Sequence, residues 1–378
     1  MTRTRTPLLT SLAAACCLAV TGASAVPATA GGAHPVQRSL DRLVSQDGFP
    51  GALASVRRPD GSIRTYTAGV SDLRTGAPVP DAGRVRLASN TKMFTATVML
   101  QLVGEGKVAL DEPVETYLPG IVRGDGIDGR RITVRQLLQQ TSGLPDYDEE
   151  LFKDFVAALH TYHEPYELLR VAFAAKPESQ PGEKFAYSNT NYILAGLIAQ
   201  KVTGRPIGEL ITHRIIEPLG LRDTYWPGDG EQTIRGPHPH GYFPATDGKP
   251  AVDITTSDPS PGWSAGALIG TPADLNRFLT ALLGGRLLAP AQLAEMKKTV
   301  DAPGFDTVGG SRYGLGIATF KLSCGGFAWT HGGIAPGYVT ADGVTNSGKA
   351  ATVAVTSLIA TEQAARDVDA ALDTALCR

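Results

Sequence analysis

The sequence predicts an α+β fold: one antiparallel β-sheet built from both chain ends, flanked by helices, with a mostly helical region inserted between its halves. Three observations lead there. Short β-like runs gather near both termini, helical periodicity and polar loops dominate the middle, and one helix near residue 90 is apolar on nearly every side. A helix of that kind belongs inside a domain, and two terminal sets of strands are most economically joined in one sheet. The sheet part is expected over about 35–110 and 300–378, and the helical insertion over about 111–299.

Residues 1–25 are expected to be a secretory signal peptide. Arg3 and Arg5 form a basic start, Leu8 to Val20 an apolar stretch too short to span a bilayer, and Ala23-Ser24-Ala25 a small-residue cleavage site. Ala28-Thr29-Ala30 is a second possible cut. The expected mature chain, 26–378, is therefore secreted and has no integral membrane segment. The full 378-residue sequence, 42% hydrophobic and 19% charged, describes a globular protein. A formal charge of −2 recommends neither nucleic acid nor an anionic membrane as partner. Cys16 and Cys17 leave with the signal, so Cys324 and Cys377 remain as a pair whose default in an oxidising compartment is a disulfide.

In chain order, Pro35 to Gln46 reads as an amphipathic helix with Val36, Leu40 and Leu43 on one side. Ala52 to Arg57 and Ile63 to Val70 form a β-hairpin across Arg58-Pro59-Asp60-Gly61. Ala88 to Val103 supplies the apolar helix, stopped at Gly104 to Gly106. Helices follow at Thr133 to Gln140, Leu151 to His160, Tyr166 to Ala175 and Asn191 to Val202, and Gly228 to Pro261 is an irregular loop. Ala328 to His331, Tyr338 to Val344 and Ala350 to Leu358 are strands, and Thr361 to Leu376 closes the chain as a helix.

The chemistry begins at Ser89-Asn90-Thr91-Lys92. Residues at i and i+3 share a helix face, so the serine hydroxyl and lysine amine can meet. Serine before a helix is usually only a cap. Lysine in the first turn opposes the helix dipole and has little structural reason to be there. It has a catalytic one, because burial favours the neutral amine, which can help to remove the serine proton. Tyr187-x-Asn189 and His331-Gly332-Gly333 are two further motifs, each by itself an ordinary cap or bend.

Together, an SxxK near the start, a YxN in the middle and an HxG on a late strand resemble the serine penicillin-recognising family: class C β-lactamases, secreted D-alanyl-D-alanine carboxypeptidases, D-aminopeptidases and related esterases. Leu137 to Leu144, Pro181-Gly182, Ser264-Ala265-Gly266 and Thr271-Pro272 match as well, and the resemblance covers roughly 35–378. It implies a β-lactamase-like fold in which Ser89 is the acyl-accepting nucleophile and Lys92 assists its deprotonation. Tyr187 would be the general base, kept anionic or polarised by Lys92. His331 would stand where β-lactamases have lysine, and Asn189 would hold the substrate's amide side chain. The N–H groups of Ser89 and Ile334, carried past Gly332 and Gly333, would form the oxyanion hole, and Trp263 an aromatic wall of the cleft. No cofactor or metal is implied, and a monomer acting on a small peptide, ester or β-lactam is expected.

The resemblance points most toward a D-alanyl-D-alanine carboxypeptidase, with an esterase or a D-amino-acid amidase or aminopeptidase as the alternative. A non-enzymatic penicillin-binding sensor is an alternative of another class. Two departures bear on this choice. Leu322-Ser323-Cys324-Gly325 is present, yet the preceding arginine that would bind a substrate carboxylate falls at about Ala318, and Ile334 replaces a threonine. Lys321 could substitute only by pointing into the cleft. Two rival sites are weaker. Gly262-Trp263-Ser264-Ala265-Gly266 fits the GxSxG of α/β-hydrolases, with Asp306 and His331 in their chain order, but no buried strand precedes it. His238-Pro239-His240 lacks a carboxylate partner in sequence for metal binding.

Overall fold

The computed structural model describes residues 33–245 and 249–378, of which His34–Arg378 form one compact unit. The signal peptide expected over 1–25 lies outside the described residues. The chain enters through α1 (Pro35–Ser45), β1 (Gly51–Arg57), β2 (Ile63–Asp72) and β3 (Ala77–Pro78), then α2 (Thr91–Gly104). Helices α3 (Val134–Leu138), α4 (Asn189–Thr203), α5 (Trp263–Gly266) and α6 (Pro272–Leu283) mark the middle. Strands β4 (Val300–Asp301), β5 (Arg312–Tyr313), β6 (Ala318–Lys321), β7 (Phe327–Thr330), β8 (Gly333–Ala335), β9 (Tyr338–Thr345) and β10 (Ala350–Val355) precede α7 (Glu362–Cys377).

These ten strands form one antiparallel sheet in the order β4-β5-β6-β7-β9-β10-β1-β2-β3, with β8 paired to β9. Both chain ends meet at its centre, where Ala52 pairs with Val355 and Arg57 with Ala350. Alternation on these strands serves two cores, because successive side chains point to opposite faces. On β1, Leu53 enters the core shared with α2, α4 and α6, whereas Ala52, Ala54 and Val56 enter the one under α1 and α7. On β10, Ala350 and Ala354 go to the first core, and Ala351, Val353 and Val355 to the second. The result is three layers: two helices, the sheet, and a thick helical layer.

Helix α2 is buried from Thr91 to Leu100, and its Phe94 ring stacks on Phe278 of α6 with centroids 3.7 Å apart. Helix α6 rests directly on the sheet. Asn276 donates to the Ser55 carbonyl at 2.8 Å and accepts from the Thr352 hydroxyl at 2.8 Å. The larger core therefore draws residues from both the sheet part and the region 111–299, including Leu53, Val98, Leu137, Ile198, Phe278 and Ala354. The expected helix at Leu151 to His160 is broken into Asp148–Leu151, Phe152–Asp154 and Phe155–Ala158. The Asp154 side chain caps the last piece by accepting from Ala157 N, which the backbone of a continuous helix would not need.

Cys324 and Cys377 are bonded, tying the turn after β6 to the end of α7 across a separation of 53 residues. Close by, Asp373 accepts from the backbone and hydroxyl of Ser323. Loop closure over that length predicts that replacing both cysteines by alanine costs about 2–4 kcal/mol. Urea unfolding of the two proteins checks this, and a loss under about 1 kcal/mol would mean that the apolar face of α7 alone secures the C-terminus.

Candidate active site

Ser89 sits on a single 3-10 turn, Ala88–Asn90, that leads into α2. The turn is bent sharply, with Ala88 at φ 50°, a left-handed conformation that costs a residue bearing a Cβ about 1–2 kcal/mol. Asn90 holds it closed, donating to the Leu87 carbonyl at 2.9 Å and to the Thr340 hydroxyl on β9 at 2.7 Å. The apolar run after Lys92 anchors the helix, so the hydroxyl is presented from a fixed platform at the edge of a cavity of about 860 Å³.

Lys92 is 0% exposed. Its Nζ lies 3.0 Å from Ser89 Oγ, 2.6 Å from Asn189 Oδ1 and 2.9 Å from the Ala265 carbonyl oxygen. Burial pushes its pKa down to about 7, against the pull of Asp146 and Asp148 in the other direction. A neutral amine fits the three partners well: two N–H groups donate to the two carbonyl-type oxygens, and the lone pair faces the serine hydroxyl.

Tyr187 stands beside this pair, its ring centroid 5.0 Å from Lys92 Nζ. Burial and the neighbouring Tyr313 push the phenol well above its usual pKa, with only the Ser89 hydroxyl pulling it down. Those influences favour the protonated phenol, and both the Tyr187 hydroxyl and Lys92 Nζ lie within hydrogen-bond reach of the serine hydroxyl.

His331 ends β7 with both ring nitrogens engaged: Nε2 lies 2.8 Å from Tyr313 Oη and Nδ1 2.9 Å from the Gly332 carbonyl oxygen. Burial, then the charge of Lys92, pushes its pKa down to about 3, so it is neutral. It packs 6.2 Å from the Tyr187 ring and 5.6 Å from Phe305, centroid to centroid, and makes no hydrogen bond to Ser89, Lys92 or Tyr187 among the described residues. It lines the cavity beside Tyr187 and Phe305. Asp342 on β9, 0% exposed, fixes the turn that follows, accepting from His331 N at 3.0 Å and Gly332 N at 3.3 Å. Beyond it β8 runs past the serine: a Cβ on Gly333 would lie 2.5 Å from the Leu87 carbonyl oxygen and 2.9 Å from Ser89 N. Only glycine allows that approach. Ile334 follows with its side chain 65% exposed along the cavity.

Asn189 opens α4 between the lysine and two carboxylates. Its Oδ1 takes the Lys92 contact, and its Nδ2 donates to Asp148 Oδ2 at 2.7 Å and Asp146 Oδ2 at 3.2 Å. Asp146 and Asp148 had no signal of their own in the sequence beyond their place after the matching phrase 137–144. Tyr313 and Asp342 were missed for the same reason: each acts across the sheet, not along the chain.

Trp263 does not line the cavity. Its ring packs toward α4, where a Cβ on Gly196 would meet it at 2.8 Å. Ser264 is fully buried on α5 and donates to the Tyr192 carbonyl at 2.8 Å, so the GxSxG segment is a packing element. His240 contacts Asp253 at 2.6 Å and His238 the Gly236 carbonyl at 2.7 Å, in the irregular loop. Ala318 is 0% exposed in a cluster with Tyr313, Phe185, Tyr187 and Phe305. Lys321 is exposed at the strand end and absent from the cavity wall.

A serine on a strained turn against a buried lysine, with a tyrosine beside them and a sheet edge passing close, defines the layout of an acyl-transferring serine hydrolase. A family model described as Beta-lactamase matches residues 36–376, and the chain belongs to that family of serine hydrolases. A D-aminopeptidase of Cereibacter sphaeroides is 30% identical over 219 residues, 56% of this chain and 41% of that protein. The chain thus spans about two fifths of the length of that curated relative. A D-stereospecific amidohydrolase from Streptomyces sp. superposes with a TM-score of 0.80 at 39% identity, covering 89% of this chain and 97% of that one. A D-amino acid amidase from Ochrobactrum anthropi SV3, complexed with L-phenylalanine amide, gives 0.79 at 28% identity, covering 90% and 96%.

If the neutral Lys92 accepts the serine proton, acylation must rise with pH. The amine is protonated and inactive below its pKa and free above it, so the rate of Ser89 acylation by p-nitrophenyl acetate climbs through about pH 7. A flat profile from pH 5 to 9 would show that another group takes the proton.

Proposed function

We propose that this chain hydrolyses amides or esters of D-amino acids through an acyl-enzyme on Ser89, without requiring a free carboxylate in the leaving group. Ser89 Oγ attacks the substrate carbonyl carbon while its proton passes to Lys92 Nζ. The oxyanion is met by the N–H groups of Ser89 and Ile334. The Tyr187 hydroxyl relays a proton to the leaving nitrogen, which departs as a neutral amine, and water then cleaves the acyl-serine ester by the reverse relay.

The observation that carries this reading is Ala318. Where a carboxypeptidase of this type would hold a carboxylate with arginine stands a buried alanine, behind a cavity face of Phe185, Tyr187 and Phe305. Arg86 lines the cavity elsewhere, its Nη2 held by the carbonyl groups of Gln232, Thr255 and Ser257 and its Nε without a partner among the described residues. A carboxylate placed at the Ala318 position would lose its hydration without the partner that arginine supplies there, at a cost of a few kcal/mol. The amidohydrolase and amidase relatives support the same choice. The D-alanyl-D-alanine carboxypeptidase expected first thus yields to its alternative, although Leu322 to Gly325 and His331 are shared with it. The reading includes export, which the Cys324–Cys377 bond supports because disulfides persist in oxidising compartments.

The test compares kcat/KM on D-alaninamide, a D-Ala-D-Ala peptide and the same peptide as its C-terminal amide, together with mapping of the acyl adduct. The amides are expected to exceed the free acid by at least about tenfold, and the adduct to lie on Ser89 and vanish in Ser89→Ala. A clear preference for the free carboxylate, or an adduct elsewhere, would overturn the proposal.

A further inference from the structure

The Asn189 side chain leaves no N–H for a substrate carbonyl to bind. Its Oδ1 is taken by Lys92 at 2.6 Å, and its two N–H groups by Asp148 Oδ2 at 2.7 Å and Asp146 Oδ2 at 3.2 Å. An N-acylated substrate could reach this amide only by displacing a carboxylate from its donor, and a carboxylate left buried without one is unfavourable.

The two acids differ. Asp146 is satisfied within the protein, accepting from Asn189 N at 2.9 Å and Asp148 N at 3.2 Å as well as from the Asn189 amide. Asp148 accepts a single hydrogen bond among the described residues, at Oδ2, and its other oxygen has no donor. It also lines the catalytic cavity, which Asp146 does not. The remaining acids of that wall are engaged elsewhere: Asp258 with Ser260 N, Asp306 with Gly309 N and Ser311, and Asp369 with Thr307. The one arginine of the wall among the described residues, Arg86, has its Nη2 held by carbonyl groups. Carboxylates thus outnumber cations in this cavity, and one of them carries an unused acceptor next to the catalytic group.

We propose that Asp148 is the specificity-determining residue of this site, its free oxygen receiving the α-ammonium group of the substrate, so that unacylated D-amino-acid amides are selected over N-acylated ones. The inference rests on the hydrolase reading above and names its acyl-side partner. Asp148 and Ser89 line the same cavity. The α-nitrogen of an amino acid is two bonds, about 2.5 Å, from the carbonyl carbon under attack. Asn189 bridges Asp148 to Lys92, which lies 3.0 Å from Ser89 Oγ. An ammonium there gives Asp148 the charge-assisted donor it lacks. An N-acyl group would bring a carbonyl oxygen against the carboxylate, and that contact is repulsive.

The measurement is the ratio of kcat/KM for D-alanine p-nitroanilide to that for N-acetyl-D-alanine p-nitroanilide, in the full chain and in Asp148→Asn. Wild-type enzyme is expected to favour the free amine. Asp148→Asn should cut the ratio by about 10- to 100-fold, mainly through KM, as the loss of a charge-assisted hydrogen bond requires. Equal losses on both substrates would assign Asp148 a purely structural role and overturn the inference. Wild-type turnover of both anilides with no preference for the free amine would overturn it while leaving the hydrolase reading intact, whereas turnover of neither would remove both. Should the variant fail to fold, competition in the wild type decides. D-alaninamide should slow p-nitrophenyl acetate turnover at a concentration at least about tenfold below that needed with N-acetyl-D-alaninamide, and equal potency would refute the proposal.

Discussion

The buried amine of Lys92 is the interaction on which the remainder of the site depends. Its three partners come from three separate pieces of chain: Ser89 on the turn before α2, Asn189 at the start of α4, and Ala265 on α5. A charged ammonium in that position would carry a large desolvation penalty. The fold offsets it by letting the amine become neutral and by spending its hydrogens on fixed oxygens. Because α2 is apolar on all sides, neither the lysine nor the serine can drift without opening the larger core. Reactivity and stability are thus set by the same burial.

The sheet supplies the opposite wall, and a second buried charge positions it. Burial pushes the Asp342 pKa up to about 6, while the N–H groups of His331 and Gly332 and the Thr330 hydroxyl pull it down, so the carboxylate is stabilised by the strand end and turn that it organises. That turn delivers Gly333 into contact with the serine backbone. Two buried ionisable groups, one on the helical side and one on the sheet side, therefore define the gap in which an acyl group must lie. Small residues such as Gly333 and Gly196 mark where the two layers come closest.

Much of this was legible in the sequence, for identifiable reasons. The Ser89–Lys92 contact follows from helix spacing alone, and the sheet from alternation and from strands at both ends. The cysteine pair was the one arrangement available after the signal is set aside. What was not legible acts over long sequence distances or in short segments. Strands of two residues, such as Val300–Asp301 and Arg312–Tyr313, carry too few side chains to show a period. Tyr313 and Asp342 matter through contacts to His331, and no local pattern announces them. Trp263 was placed in the cleft by resemblance, but close packing against Gly196 turns its ring inward. The setting of Tyr187 was not legible either: burial, Tyr313 and two carboxylates raise its pKa, the Ser89 hydroxyl lowers it, and the one cation nearby is itself driven toward neutrality.

That neutrality also shapes what the cavity can select. Lys92 is balanced by Asp146 and Asp148 across a single asparagine, and burial raises both carboxyl groups as it lowers the amine. Burial thus disfavours the charged form of all three groups. A bound cation changes the balance. It favours ionised Asp148, and the charge so fixed draws on Lys92 through Asn189. A carboxylate in the leaving group would find no cation at Ala318, whose neighbours are the rings of Phe185, Tyr187, Phe305 and Tyr313. The two ends of the cavity therefore differ in kind: a polarisable hydrogen-bonded network at the acyl end, and a fixed apolar surface along the wall where carboxypeptidases hold their arginine. Substrate charge is distinguished by that asymmetry, with the catalytic groups themselves left in common with the rest of the family.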